Sequence, residues 1–222
     1  MKLHRMILLA MAAVAVFALL AGCDSDTVAP HDNLPALTAE DAANQSAIVA
    51  LTYKQIGPMA IQNPAKTAGA HPIAGAGFSG EVWIDWLTAE GGEDATWNTA
   101  GWVHVFTEAD SPVVYTTPLG GTTEFNLDVA ADIARDPTTG VISGSGSMVS
   151  GEYTLSYTIL NLEVVEGADY PATGIIEVVT QGHTVSIVFD GDNTALLTVN
   201  MTDVWEVNLD TGAVTPWEVP PV

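Results

Sequence analysis

Apolar and polar residues alternate strictly from Thr122 to Arg135. Thr123, Phe125, Leu127, Val129, Ala131 and Ile133 fall on one side, and Glu124, Asn126, Asp128, Ala130, Asp132 and Ala134 on the other. Strand side chains point alternately to two faces, so the pattern predicts a long antiparallel strand, buried on one face and wet on the other. Shorter segments of period 2 follow the same rule at Glu81–Trp86, Val141–Val149, Tyr153–Val165, Ile175–Thr180, Thr184–Phe189, Ala195–Met201 and Asp203–Leu209. Within Tyr153–Val165 the phase slips near Leu160 and Leu162, which predicts a bulge. Asp136-Pro137-Thr138-Thr139-Gly140, Gln181-Gly182-His183, Asp190-Gly191-Asp192-Asn193 and Asp210-Thr211-Gly212 supply turns between these segments. A mainly β fold follows: an antiparallel meander over residues 77–217 that curls into a barrel, half-barrel or sandwich.

Ahead of the meander the period changes. Thr38 is a helix cap, Glu40 and Asp41 stand in the first turn, and Ala47, Ile48, Leu51 and Ile56 recur near helical spacing. Asp41 takes the position where a capping box prefers Glu or Gln. Gly57-Pro58 is expected to end the helix. The expected order is a helix over 38–56 packed on the sheet, a crossing loop over 57–76 rich in Pro, Gly and Ala, and the meander, all in one domain, 38–222. Residues 23–37 hold two prolines, polar side chains and no periodicity, as a flexible tether does.

The first 22 residues form a separate unit. Lys2 and Arg5 precede an uncharged apolar run, Met6 to Ala21, closed by small residues. This is the layout of an export signal. The run is near the lower limit for crossing a ~30 Å hydrocarbon core, so an uncleaved anchor competes with a cleaved leader. Leu20-Ala21-Gly22-Cys23 resembles the lipobox of bacterial lipoproteins at all four positions. The resemblance implies acylation of Cys23 and cleavage before it, with the new amine acylated too. It also implies an exported protein held at the periplasmic face of the inner or outer membrane or at the cell surface. Asp24 resembles the inner-membrane retention signal of some Gram-negative bacteria. Cys23 is the only cysteine, so it has no intramolecular disulfide partner. Several acyl chains hold a protein stably at a bilayer where one is marginal.

Charge narrows the partners. The chain has 27 acidic and 5 basic residues; losing residues 1–22 removes Lys2, Arg5 and no acid, which takes the net charge from −22 to −24. Such a surface repels nucleic acid and anionic headgroups. It attracts divalent cations weakly and without specificity, because the carboxylates are dispersed along turns and wet strand faces. Acidity also suits a salty medium, where charge is screened within about 3 to 10 Å.

No cofactor or catalytic set is expected. Gly75-Ala76-Gly77-Phe78-Ser79-Gly80 matches the dinucleotide fingerprint, but a strand and not a helix follows it, so it is an entry to the first strand. Asp190-Gly191-Asp192-Asn193 begins like a calcium loop, yet Ala195 and Met201 stand where an EF-hand needs Gly and Glu. Glu90, Glu93 and Asp94 form a second acidic loop. His31, His71, His104 and His183 have no metal-ligand spacing, and no G-x-S-x-G elbow occurs. Neither an enzyme nor a dedicated metal site is expected.

The tryptophans are the remaining signal. Trp83, Trp86, Trp97 and Trp102 lie close together in the chain, and Trp83 and Trp86 must face opposite sides of a regular strand. Aromatic rings near carboxylates suit sugars or cations, so Trp83, Trp86 and Trp102 are the candidate ligand-binding residues. The plan of anchor, helix and meander resembles lipocalin-like and lipoprotein-carrier folds, which hold apolar ligands. It departs from them at Gly80-Glu81-Val82-Trp83, where lipocalins carry Gly-x-Trp. The expectation is a non-enzymatic envelope lipoprotein whose β domain binds an apolar or glycan ligand. The alternative is a structural or protein-interaction module without a small-molecule site.

Overall fold

A computed structural model describes residues 37–61, 69–88, 100–135, 139–151 and 153–217. Cys23, the tether, His31, the turn at Asp136–Thr138, Trp97 and the acidic loop of Glu90, Glu93 and Asp94 lie outside them. Among the described residues one helix, α1 (Ala39–Ile61), precedes twelve strands. These are β1 (Gly69–Gly75), β2 (Phe78–Leu87), β3 (Trp102–Phe106), β4 (Val113–Thr116), β5 (Thr122–Arg135) and β6 (Thr139–Ser150). They continue as β7 (Thr154–Val165), β8 (Thr173–Thr180), β9 (His183–Phe189), β10 (Thr194–Val199), β11 (Asp203–Asn208) and β12 (Val214–Pro216).

All pair antiparallel in one sheet of order β1-β2-β3-β5-β6-β7-β8-β9-β10-β11-β12. β4 also pairs with β2 and β5, so β3 and β4 share one slot between those strands. The expected meander is therefore the observed fold. The alternation in β5 sorts as the sequence predicts: Phe125, Leu127, Val129, Ala131 and Ile133 are buried. The slip in β7 is also real. Register shifts between Leu160 and Glu163, where Asn161 adopts a positive φ of 50° and its N–H donates to Ser143 Oγ at 3.1 Å.

The sheet curls around the helix. Laid flat, eleven strands in sequence would be about 50 Å wide at the usual 4.8 Å spacing. A helix with its side chains is only about 10–12 Å thick. Yet α1 touches β1 at one edge, β11 and β12 at the other, and β7 to β10 between them. Only a curled sheet brings both edges to one helix. Burial agrees: every residue from Ser46 to Tyr53 is buried, more than two turns, so this middle stretch of the helix is enclosed on all sides. Tyr53 meets Tyr157 of β7 edge-on inside, with centroids 5.8 Å apart. Burial pushes both phenols upward, so they remain protonated and neutral in the apolar interior.

Two expectations about the N-terminal part need correction. The helix does not stop at Gly57-Pro58 but continues to Ile61. Pro58 lies in the last turn, so it removes only its own hydrogen bond to the preceding turn. Gly57, with no side chain, fits against Val164, to which an added Cβ would stand at 3.3 Å. Residues 57–76 are thus not one loop, since 69–75 form β1 against β2. Only Ile73 and His71 mark its inner face, and Pro72 is tolerated because β1 is an edge strand. The fingerprint-like glycines close the β1–β2 hairpin. Ala76 and Gly77, φ 48° and 89°, form the two-residue turn, and a Cβ on Gly77 would lie 2.3 Å from the Thr116 carbonyl oxygen.

The helix has a fixed direction. At its start Thr38 Oγ1 accepts from Asp41 N–H at 3.1 Å, and Asp41 accepts from Thr38 N–H at 3.2 Å, so aspartate closes the capping box. Gln45 bonds Thr180 at 2.8 Å, and His183 Nε2 lies 2.9 Å from the Leu37 carbonyl. The chain therefore enters at the end of the sheet carrying turns 117–121, 181–182 and 200–202. At the far end Lys54 donates to the Leu209 carbonyl and to Asp210, with its ammonium 4.9 Å from the Tyr170 ring centroid. Tyr170 donates its hydroxyl to the same carboxylate at 2.9 Å. Lys54, and then Tyr170, hold the Asp210 carboxyl below the usual carboxylate range. A group with a lowered folded pKa stabilises the fold above its unfolded pKa, about 3.9, and stops doing so as pH falls through the folded value. Asp210→Asn is expected to lower Tm at pH 7, and the Tm difference should shrink as pH falls through the lowered Asp210 value. Thermal melts across pH 2.5–7 check this.

Candidate functional site

Register decides which aromatic side chains share a surface. On the outer face of β2, β3 and β5, Trp83 pairs with Phe106 and Phe106 with Asp128. The next row is Asp85, His104 and Ala130, and the third is Leu87, Trp102 and Asp132. The His104 and Phe106 rings stack at 4.6 Å with planes 22° apart, and His104 Nε2 lies 2.8 Å from Asp128 Oδ1. Trp102 is 37% exposed, the most open of the aromatic side chains in the patch. An aromatic ridge on β2 and β3 thus runs beside three carboxylates, Asp85, Asp128 and Asp132.

Beyond the ridge the surface drops. Ala130 faces Ser145 of β6, and Ser143 and Ser147 continue the outer face on either side. Their partners in β6, Gly144 and Gly146, point inward. The Ser-Gly repeat is therefore a strand with a slim polar outside and no inner side chains at these points. The Tyr157 ring fills the space inside, since a Cβ on Gly146 would lie 2.7 Å from it.

Of the three candidate tryptophans, the geometry unites two. Trp83 and Trp102 lie on the outer face of neighbouring strands, with Trp102 opposite Leu87, four residues along β2 from Trp83. Trp86 points inward and is 2% exposed, so it belongs to the core and not to this surface. The sequence spacing already separated Trp83 from Trp86 by face. It did not reveal Phe106, His104 or Asp128 as neighbours of Trp83, because that depends on how β3 registers on β2 across a long connection. Cys23 lies outside the described residues. Asp190 and Asp192 sit in a turn closed locally, the Asp192 N–H donating to Asp190 Oδ1 at 3.3 Å.

Among the described residues no helix is long and apolar enough to cross a membrane. The fold is a curled antiparallel sheet around one helix, with its exposed aromatic rings beside carboxylates on the outside. No protein-family model, curated protein or solved structure matches the chain.

Proposed function

We propose that this chain is a non-enzymatic lipoprotein of the bacterial envelope, anchored through Cys23, whose β domain binds a neutral glycan on the outer face of β2, β3 and β5. The observation that carries the ligand class is the row structure of that face: Trp83, Phe106, His104 and Trp102 beside Asp85, Asp128 and Asp132. A sugar ring offers an apolar C–H face, which packs on an aromatic ring, and peripheral hydroxyls, which donate to carboxylates. Anionic glycans are disfavoured by a chain of net charge −22. An apolar ligand of the lipocalin kind would need the concave side of the sheet, and α1 occupies that side.

Affinity electrophoresis through gels containing soluble neutral glucans, mannans or galactans tests the reading. Retardation by at least one of them is expected, and Trp102→Ala should weaken it about tenfold or more, as loss of a central aromatic contact does. Trp86→Ala should act differently, destabilising the fold by about 3–5 kcal/mol as a buried aromatic deletion. Unretarded migration in every neutral polysaccharide, together with capture of an envelope protein through the same face, would favour the interaction-module alternative.

A further inference from the structure

Large apolar side chains that remain exposed are not scattered over this domain. Among the described residues they are Leu119 (99% exposed), Met201 (66%), Val179 (54%), Val149 (44%) and Trp102 (37%). Trp102 belongs to the aromatic face. The other four all sit at the end of the sheet where the chain enters. Leu119 is in the β4–β5 turn, Val149 is the penultimate residue of β6, Val179 the penultimate residue of β8, and Met201 is in the β10–β11 turn. They recur around the rim on alternate hairpins.

Two of these residues occupy turn tips, where Gly, Asn or Asp is the usual choice. Met201 holds a positive φ of 62°, a conformation in which a long apolar side chain is uncommon. Nothing in local backbone chemistry favours methionine there. The turns of the far end, at 190–193 and 209–213, carry Asp, Asn, Gly and Thr at their tips in the ordinary way.

The N-terminal segment says what covers this rim. His183 Nε2 lies 2.9 Å from the Leu37 carbonyl, which fixes the point where the chain joins the domain beside the β8–β9 turn. Cys23 is fourteen residues before Leu37. That length spans at most about 50 Å extended and roughly 20 Å as a flexible coil. We infer that the rim of Leu119, Val149, Val179 and Met201 docks on the lipid bilayer that holds the acylated Cys23, so that the entry end faces the membrane and the far end faces away. The inference rests on the lipid anchor proposed above. Tethering raises the local concentration of the rim at the bilayer, so weak contacts suffice. The lipid is uncharged or zwitterionic: Glu40, Asp41, Glu124 and Asp203 are exposed at the same end, and an anionic surface would repel them.

The test uses the full acylated protein reconstituted in phosphatidylcholine vesicles with brominated acyl chains. Acylation occupies Cys23, so single cysteines at Leu119→Cys, Met201→Cys and, at the far end, Asp169→Cys take an environment-sensitive fluorophore selectively. Bromolipid should quench the 119 and 201 labels several-fold more than the 169 label, with blue-shifted emission. Adding phosphatidylglycerol at low salt should reduce the difference. Equal, aqueous behaviour at all three sites, with acyl chains on Cys23 by intact mass, overturns the docking and leaves the anchor standing. Blue-shifted but unquenched labels at 119 and 201 assign the rim to a second copy of the chain and overturn it too. An unacylated Cys23 removes both the anchor and the docking.

Discussion

Replacing Cys23 with serine is expected to abolish acylation of the protein completely and to leave residues 1–22 attached. The lipobox resemblance orders the steps: the thiol is acylated first, and the leader is cut only from the acylated chain. Serine cannot form the thioether, so the precursor should accumulate, heavier by the leader and lighter by the acyl groups. The physical consequence is large. Each buried methylene contributes about 0.8 kcal/mol, so two or three acyl chains hold a protein at a bilayer against dilution and salt. The remaining apolar run, Met6 to Ala21, is close to the lower limit for spanning and is a weaker substitute. Intact-mass analysis of the membrane fraction, with metabolic labelling by palmitate, reads the outcome. A Cys23→Ser protein of the same processed mass as wild type would contradict the anchor, as would release of wild type by salt alone.

Gly144→Ala should be among the most damaging single substitutions in the β domain. Gly144 lies in β6 opposite Ala131 of β5, beside a register shift between Ile142 and Gly144. A Cβ built there would stand 2.3 Å from the Ala130 carbonyl oxygen and 2.5 Å from Ala131 Cα. Both are backbone atoms, so no side-chain rotation relieves the contact, and two paired strands must separate. Overpacking of this kind costs about 1–3 kcal/mol when side chains can adjust, and here the upper part of that range or more is expected. The matched control is Gly151→Ala, in the β6–β7 turn, where an added Cβ meets nothing within 4 Å. Urea melts of the two variants should differ by roughly 3 kcal/mol. Equal stability would mean that β5 and β6 do not approach so closely.

The strand pattern was legible because it is a local rule with a strong signal. Alternation in β5 names its own buried face, and the phase slip at Leu160 and Leu162 names its own bulge. β1 was hidden because Gly69, Ala70, Pro72 and Ala74 carry little strand preference, and its pairing with β2 comes from a tight turn rather than from periodicity. The helix end was misplaced for a related reason. Gly-Pro usually stops a helix, but Pro58 falls in the last turn of α1, where it removes only its own hydrogen bond. The candidate site was half visible. The faces of Trp83, Trp86 and Trp102 follow from parity along each strand, whereas the stack of His104 on Phe106 and the placing of Asp128 beside them need the cross-strand register. The Lys54–Asp210–Tyr170 cluster, which ties the helix to the far end, joins residues from three distant parts of the chain. No spacing rule could have announced it.

The claim most exposed to test is that ligand binds outside the curled sheet and not within it. The tryptophan indole N–H signals of the mature protein report this directly, because Trp83 and Trp102 lie on the outer face while Trp86 is buried against the interior. Two-dimensional 1H–15N spectra would be recorded while titrating, in turn, a soluble neutral oligosaccharide that retards the protein in gels and a long-chain fatty acid. The account predicts saturable shifts of the Trp83 and Trp102 signals with the oligosaccharide, no movement of Trp86, and no response to the fatty acid. Saturable movement of Trp86 with the fatty acid, while Trp83 and Trp102 stay fixed with every sugar, would contradict it and place the ligand beside the helix.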